Sequence, residues 1–400
     1  MGLIVQKFGG TSLKTAAGRK AALNYILSAK RAGNDVVVVV SAMGRKGDPY
    51  ATDTLIELLK LHGGSVCPRK KDLIMACGEI ISAAVMASYI ESKGIPAEAM
   101  TGFQAGIFTS GDFGNADVIR VDPAPIMGKL KEGKVVVVAG FQGQTEKGEI
   151  TTLGRGGSDT TAVVLGGYLK ADLVEIYTDV PGVAVADPCI VPEAPYISQI
   201  SFKEMLALSE NGAKVIHPRA VKAAMDFNIP VRIKSTFESG EGTLLCDGES
   251  SLPVSGIALQ EGLALALFRR DEGFSAEETK RIEGLGQPVA LQGDDRAAGL
   301  LMLEDKKTLA VDLAGMLKAD IELKENLSRL TVVFNENGTV VNAGAIARRI
   351  KSMLSSIKIP AEASGNLQNQ FFVAVPREFS YEAVRAAYNV FFIEGKREAV

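Results

Sequence analysis

Two clusters in the chain bring cations, glycines and hydroxyls together closely enough to handle an anionic substrate. The first lies in "IVQKFGGTSL", residues 4–13, where Lys7 ends an apolar run and Gly9, Gly10, Thr11 and Ser12 follow. A P-loop carries its glycines first and its Lys-Ser/Thr last, so the order here is reversed. A glycine pair at a strand end lets backbone N–H groups approach an anion without interference from a Cβ. A helix directly after the pair would add its own N-terminal donors. Lys7, held on the strand, places an ammonium over the same point. That suits a transferring phosphoryl group, whose reaction depends mainly on positioning and charge neutralisation. The structural alternative is a β-turn beside a surface lysine.

The second cluster is "TTLGRGGSDTTAVVLG", residues 151–166, in which Arg155, Gly156, Gly157, Ser158 and Asp159 precede a helix-like run. Arg and Asp beside two glycines can trap a zwitterion, the guanidinium taking a carboxylate and the carboxylate an ammonium. The plainer explanation is a helix start capped by Ser158 or Asp159, although capping does not require Arg-Gly-Gly before it. Other candidates are ambiguous alone. Glu79 in "MACGEII" reads as a lone carboxylate on an apolar helix, and Ser41, Thr52 and Asp53 follow a second apolar run. Asp179 in "YTDVPGV" and Lys214 in "GAKVIHP" suit the adenine side and phosphate side of a nucleotide, while His217, before Pro218, reads as a turn residue.

The sequence shows neither a Ser-His-Asp set nor an evident general base. A kinase acting on an alcohol usually needs such a base. A carboxylate acceptor, with a pKa near ~4, is already ionised at neutral pH. Phosphoryl transfer to a carboxylate therefore needs only the cations and oriented amides that these loops offer.

The elements that must position these residues are legible as continuous apolar runs. "GLIVQKFGG" (2–10), "DVVVVVSAMG" (35–44), "KVVVVAGFQG" (134–143) and "LVEIYTDVPG" (173–182) each end in a glycine-bearing loop. Unbroken β-branched runs suit strands buried on both faces of a parallel sheet. Between them, segments 15–33, 53–64 and 71–94 have helical spacing and close on glycine. The expected fold is an α/β three-layer sandwich with a mainly parallel sheet, and all four loops fall on its carboxyl edge, where ligands bind in such sheets.

The chain has 400 residues, 46% apolar, with a net charge of −3, no Trp and 6% aromatics, so it predicts two or three domains and no nucleic-acid footprint. Its four cysteines are scattered and it has only two histidines, which argues against zinc or any bound structural metal and for a reduced, cytoplasmic setting. The N-terminus lacks the regions of a signal peptide, and no apolar stretch is read as near the 18 residues of a membrane span. Residues 235–256 are polar and rich in Gly and Ser, a candidate boundary. Beyond them two βαββ-like rounds follow: 262–270, 275–286, "PVALQ" and "AGLLMLED", then 329–334, 343–357, "IPAEASG" and "NQFFVAVP". A final helix over 380–393 closes an α+β region of two ferredoxin-like modules.

Taken together, "VQKFGGTSL", "VVVVVSAMGRKGDPYATD", "CGE", "GRGGSDTTA", "YTDVPGV", "ADP" and "GAKVIHPRAV" resemble the aspartate kinases of the amino-acid kinase family, in the family's order over most of residues 1–235. The resemblance implies an amino-acid kinase catalytic domain over 1–245. It also implies a regulatory region over 256–400, built of two ACT-like modules at about 256–325 and 326–400, separate or interleaved. It implies ATP-dependent phosphorylation of the side chain of L-aspartate to 4-phospho-L-aspartate, the entry to lysine, diaminopimelate, threonine and methionine synthesis. By the same resemblance, Lys7 acts on the transferring phosphoryl group and Asp159 is catalytic. Ser41, Thr52, Glu79, Arg155 and Asp159 bind the substrate, with Glu79 and Asp159 on its ammonium and Arg155 on its α-carboxylate. Phe8, Gly9, Gly10, Ser158, Thr178, Asp179, Lys214 and Val215 join Lys7 at ATP, and Mg2+ comes with the nucleotide. A homodimer or higher homo-oligomer through the ACT-like region is implied, with lysine or threonine as a possible type of effector.

The chain departs from the family at Cys189, where a basic residue usually follows "ADP", and at Ala343-Gly344-Ala345 in the second module. These departures imply one nucleotide contact fewer and altered feedback control. Two other readings remain, a kinase for another amino-acid carboxylate and a non-catalytic amino-acid sensor. The presence of Lys7, Glu79, Arg155 and Asp159 speaks against the sensor.

Overall fold

The computed structural model describes residues 2–61, 66–248, 250, 252–289, 296–335 and 343–394. They form two compact units, one of Met1–Val183, Tyr196–Leu206 and Lys214–Gly248, the other of Ala184–Pro195, Ala207–Ala213 and Glu249–Val400. The four cysteines are free thiols.

The first unit is built on an eight-stranded sheet. At its centre the four expected runs lie side by side in the order Leu173–Thr178, Leu3–Phe8, Asp35–Val40 and Val135–Ala139, every neighbouring pair parallel. Every side chain of Val36–Val40 and Val135–Ala139 is fully buried. Helices therefore cover both faces, as unbroken Val runs require. Val231–Ser235 extends the sheet in parallel beside Leu173–Thr178, and Thr243–Cys246 pairs with it antiparallel. Four short strands, Val118–Val121, Ile107–Thr109, Gln142–Gln144 and Ile150–Thr152, make a separate small sheet with no counterpart in the sequence reading.

Two expectations need correction. The glycine pair is followed by a single helical turn, Gly10–Leu13, and the long helix begins only at Ala16, where Thr15 Oγ1 accepts the Gly18 N–H at 3.0 Å. The long helix thus has its own cap and does not point its N-terminus from Gly9-Gly10. The second correction concerns the 24-residue helix Pro68–Glu91, which is long and apolar enough to cross a membrane by length and composition. Part of its apolar surface lies in the core. Ala83, Met86, Ala87 and Ile90 pack with Phe8, Leu23, Val38 and Val137, and the helix also buries Asp72 and Glu79. The helix expected over 53–64 is observed at Thr52–Lys60, and its expected last residues, 62–64, lie outside the described residues.

The second unit contains one six-stranded sheet in the order Gln287–Pro288, Ala297–Leu303, Val254–Arg269, Asp320–Phe334, Gln370–Pro376, Ala363–Leu367, antiparallel throughout. Helices Ala276–Glu283, Ala343–Ser356 and Ser380–Tyr388 occupy the expected places, and Lys307–Leu317 adds one the sequence reading did not assign. Ser275 and Glu278 form a reciprocal capping box at the first of these.

Candidate active site

The first wall of the site is the carboxyl end of Leu3–Phe8. Lys7 Nζ lies 2.7 Å from Asp159 Oδ1, with both side chains mostly buried. A Cβ on Gly9 would stand 3.5 Å from that ammonium, an ordinary contact, so Gly9 adjoins the Lys7 side chain. Gly10 has a steric reason to be glycine. A Cβ there would come within 2.4 Å of Ala42 O, so it lets the loop after Asp35–Val40 pack directly against the Lys7 turn. Phe8 is fully buried and stacks on Tyr177 at 4.7 Å between ring centres, so only its backbone is available to a ligand.

The opposite wall is the turn before helix Gly157–Leu169. Its N-cap is Gly156, in the left-handed region at φ 68°, with no side-chain cap bond. Neither Ser158 nor Asp159 caps the helix, so capping does not explain this cluster. A Cβ on Gly156 would meet His217 Cβ at 2.1 Å. His217 is itself the N-cap of helix Pro218–Phe227, its Nδ1 accepting the Arg219 N–H at 3.3 Å. Burial, with the Arg219 charge beside it, holds the imidazole pKa below its ordinary value, against the pull of Asp159. Its contacts are those of a helix cap, in keeping with its place before Pro218.

The floor is helix Pro68–Glu91. Glu79 is 3% exposed, and its Oε1 accepts the Ala42 N–H at 3.0 Å. Its Oε2 is buried with no partner among the described residues. Burial pushes the carboxyl pKa up to about 8. Gly78 permits this geometry, since a Cβ there would come within 2.7 Å of Ala42 Cβ and 2.9 Å of Tyr50 O.

These walls enclose a cleft of about 540 Å³ lined by Lys7, Gly10, Ser41, Thr52, Glu79, Arg155, Ser158 and Asp159 among others. Eight candidates from distant parts of the sequence thus converge. Gly9 borders the cleft through Lys7. Thr178, Asp179, Lys214 and Val215 are not among its lining residues. Asp179 Oδ2 pairs with Arg45 at 3.0 Å and its Oδ1 accepts from Thr178 Oγ1 at 3.2 Å, while Lys214 is exposed. The zwitterion trap is also rearranged. Asp159 is engaged by Lys7, and Glu79 is the carboxylate with an open oxygen for an ammonium. Lys71 and Met75 line the cleft too and escaped the sequence reading. Their signal was the i, i+4, i+8 spacing to Glu79, which puts all three on one helix face.

The amino acid kinase family model matches residues 2–235. The chain belongs to the amino acid kinase family. Over its whole length it is 36% identical to an aspartokinase of Bacillus sp. (strain MGA3), with 99% of this chain and 98% of that protein covered. It is 49% identical to aspartokinase 1 of Bacillus subtilis (strain 168) over 251 residues, 63% of this chain and 62% of that relative's length. By structure it superposes on E. coli aspartokinase III in complex with aspartate and ADP (R-state), with TM-score 0.79, 23% identity, and 98% of this chain and 100% of that one covered. The amino-acid kinase fold with its mainly parallel sheet accordingly takes up residues 2–235, and an α+β region follows it.

Proposed function

We propose that this member of the family transfers the γ-phosphoryl group of ATP to the side-chain carboxylate of L-aspartate, giving 4-phospho-L-aspartate and ADP. The observation that carries the reading is the unpartnered buried oxygen of Glu79, facing the same cleft as Arg155 and Lys7. A buried carboxylate oxygen without a donor is costly unless a ligand supplies one, and the substrate ammonium does so. Arg155 takes the α-carboxylate, Ser41 and Thr52 border the side chain, and the reacting carboxylate points at Lys7. The match to named aspartokinases over the full chain supports the same substrate.

In the reaction a carboxylate oxygen forms a bond to the γ-phosphorus as the bond from that phosphorus to the β–γ bridging oxygen breaks, and ADP leaves. No proton has to move, consistent with the lack of a general base. Lys7 neutralises charge on the transferring group, and Asp159 holds the Lys7 ammonium in place. Gly9, Gly10, the Phe8 backbone and Ser158 border the phosphates, with Thr178, Asp179, Lys214 and Val215 assigned to the rest of the nucleotide. Among the described residues no three His, Cys, Asp or Glu side chains are grouped to hold a metal ion. Mg2+ is therefore read as arriving on the ATP phosphates, completed by water. The C-terminal unit is read as the seat of self-association and of an amino-acid effector.

The test is trapping of acyl phosphate by hydroxylamine with ATP and Mg2+, comparing aspartate, glutamate and acetylglutamate. Hydroxamate from aspartate alone is expected, with Lys7→Ala losing about 10²–10³ in kcat, the usual effect of removing one donor to transition-state charge. Product from another acceptor, or an unaffected variant, would overturn the reading or the assignment of Lys7.

A further inference from the structure

We infer that Asp72 is a positioning residue that fixes the distance between the two groups gripping the amino-acid end of the substrate. Asp72 is fully buried on helix Pro68–Glu91, seven residues before Glu79. Its Oδ2 accepts two backbone N–H groups, from Gly114 and from Thr152, each at 2.8 Å. Its Oδ1 accepts the Thr152 hydroxyl at 3.0 Å. Among the described residues no cation lies within ion-pair distance, so neutral donors alone satisfy this carboxylate.

The donors lie directly under the Arg155 turn. Thr152 is three residues before Arg155, and Gly114, Gly154, Arg155 and Gly156 all line the cleft. Gly154 sits at φ 72°, and a Cβ on it would meet Asn115 Oδ1 at 2.8 Å and Gly114 O at 3.2 Å. The segment Asp72 holds is therefore the one on which the Arg155 turn rests. The Ala116 N–H closes the same unit by donating to Thr152 O at 2.9 Å.

One rigid helix thus carries Glu79 at its cleft face and, two turns earlier, the anchor for the Arg155 turn. Glu79 meets the ammonium and Arg155 the α-carboxylate, so Asp72 sets the spacing of the pair. This inference rests on the reading of those two contacts given above. Asn at position 72 keeps the volume and one oxygen for the two backbone N–H groups, but it loses the charge that strengthens those bonds and offers the Thr152 hydroxyl an NH₂ in place of an acceptor, so the anchor is weakened.

The experiment is a double-mutant cycle of Asp72→Asn and Arg155→Ala, read as KM for aspartate, KM for ATP and kcat. Asp72→Asn is expected to raise KM for aspartate about tenfold, as misplacing a substrate-orienting group does, with KM for ATP within about twofold. In the Arg155→Ala background the same change is expected to move KM for aspartate less than about twofold, because coupled residues are not additive. Equal rises in both KM values, or an undiminished effect without Arg155, would overturn the inference. Thr152→Val removes only the hydroxyl. It should raise KM for aspartate about two- to threefold without lowering the melting temperature by more than a few degrees, and no rise would count against the inference even if Asp72→Asn fails to fold. A wild-type chain without aspartate-dependent hydroxamate would instead refute the functional reading itself.

Discussion

Glu79 is the residue at which fold and chemistry pull in opposite directions. A carboxyl whose pKa is raised from 4.5 to about 8 binds more protons in the native state than in the unfolded one across that interval. Stability from this group is therefore fully present below about pH 4.5 and is lost as pH rises through about 8. Glu79→Gln removes the titration. The melting temperature of the unliganded wild type should fall relative to the variant between about pH 5 and 8.5, and parallel curves in thermal melts would show that burial does not govern this group. Ligand binding reverses the sense, because an ammonium beside Oε2 favours the ionised form. At neutral pH, aspartate binding should then release a proton. Calorimetry in two buffers of different ionisation enthalpy would detect it, and Glu79→Gln should abolish it along with most of the affinity.

At the scale of elements, glycine decides how closely the walls approach. Gly156 combines φ 68° with a hypothetical Cβ only 2.1 Å from His217 Cβ. Gly156→Ala should destabilise the chain by at least about 2 kcal/mol, from left-handed backbone strain plus the displacement of His217. The accompanying loss of kcat/KM should appear mainly in KM for aspartate, since Arg155 is the adjacent residue. Urea unfolding and steady-state kinetics would check both, and an alanine variant of wild-type stability would contradict the close packing. This wall was legible in the sequence because Arg-Gly-Gly-Ser-Asp is more than a helix start needs. The central sheet was legible because two unbroken Val runs, at 36–40 and 135–138, leave no polar face for solvent, and two further apolar runs share their glycine-bearing ends. Asp72 was not, since a carboxylate at the end of the charged run Arg69-Lys70-Lys71-Asp72 reads as part of a solvated helix start and carries no sign of what it meets. Gly114 and Thr152 reach Asp72 from positions 42 and 80 residues away.

For the molecule as a whole, the second unit is the part whose arrangement sequence periodicity could not supply. Two modules were expected, separate or interleaved, and strands Val254–Arg269 and Asp320–Phe334 each run through both halves of the six-stranded sheet. Leu265–Arg269 pairs with Asp320–Lys324, whereas Ile257–Gln260 pairs with Arg329–Val332. The divide falls at register shifts around Gln260, Leu263 and Leu265, beside Gly262 at φ 73° and Asn326 at φ 57°. The polar triplets Gln260-Glu261-Gly262 and Lys324-Glu325-Asn326 stand there, so the pattern reads as a strand end where the bulged strand in fact runs on. Ile321 and Leu323 pack against Ala264, Ala266 and Phe268 in the first module's core. A chain ending at residue 319 would lose these residues and leave Val254, Ile257 and Ala258, all buried in the whole chain, beside an unpaired edge. Such edges aggregate. A chain ending at residue 248 keeps the entire eight-stranded sheet, including Thr243–Cys246, and retains of the second unit only the segments Ala184–Pro195 and Ala207–Ala213. The longer truncation product should therefore be the worse protein, recovered in the pellet or binding a hydrophobic dye, while the shorter one stays soluble with a lowered melting temperature. A soluble 1–319 chain melting with the full-length protein would show that the first module closes without the exchanged strand.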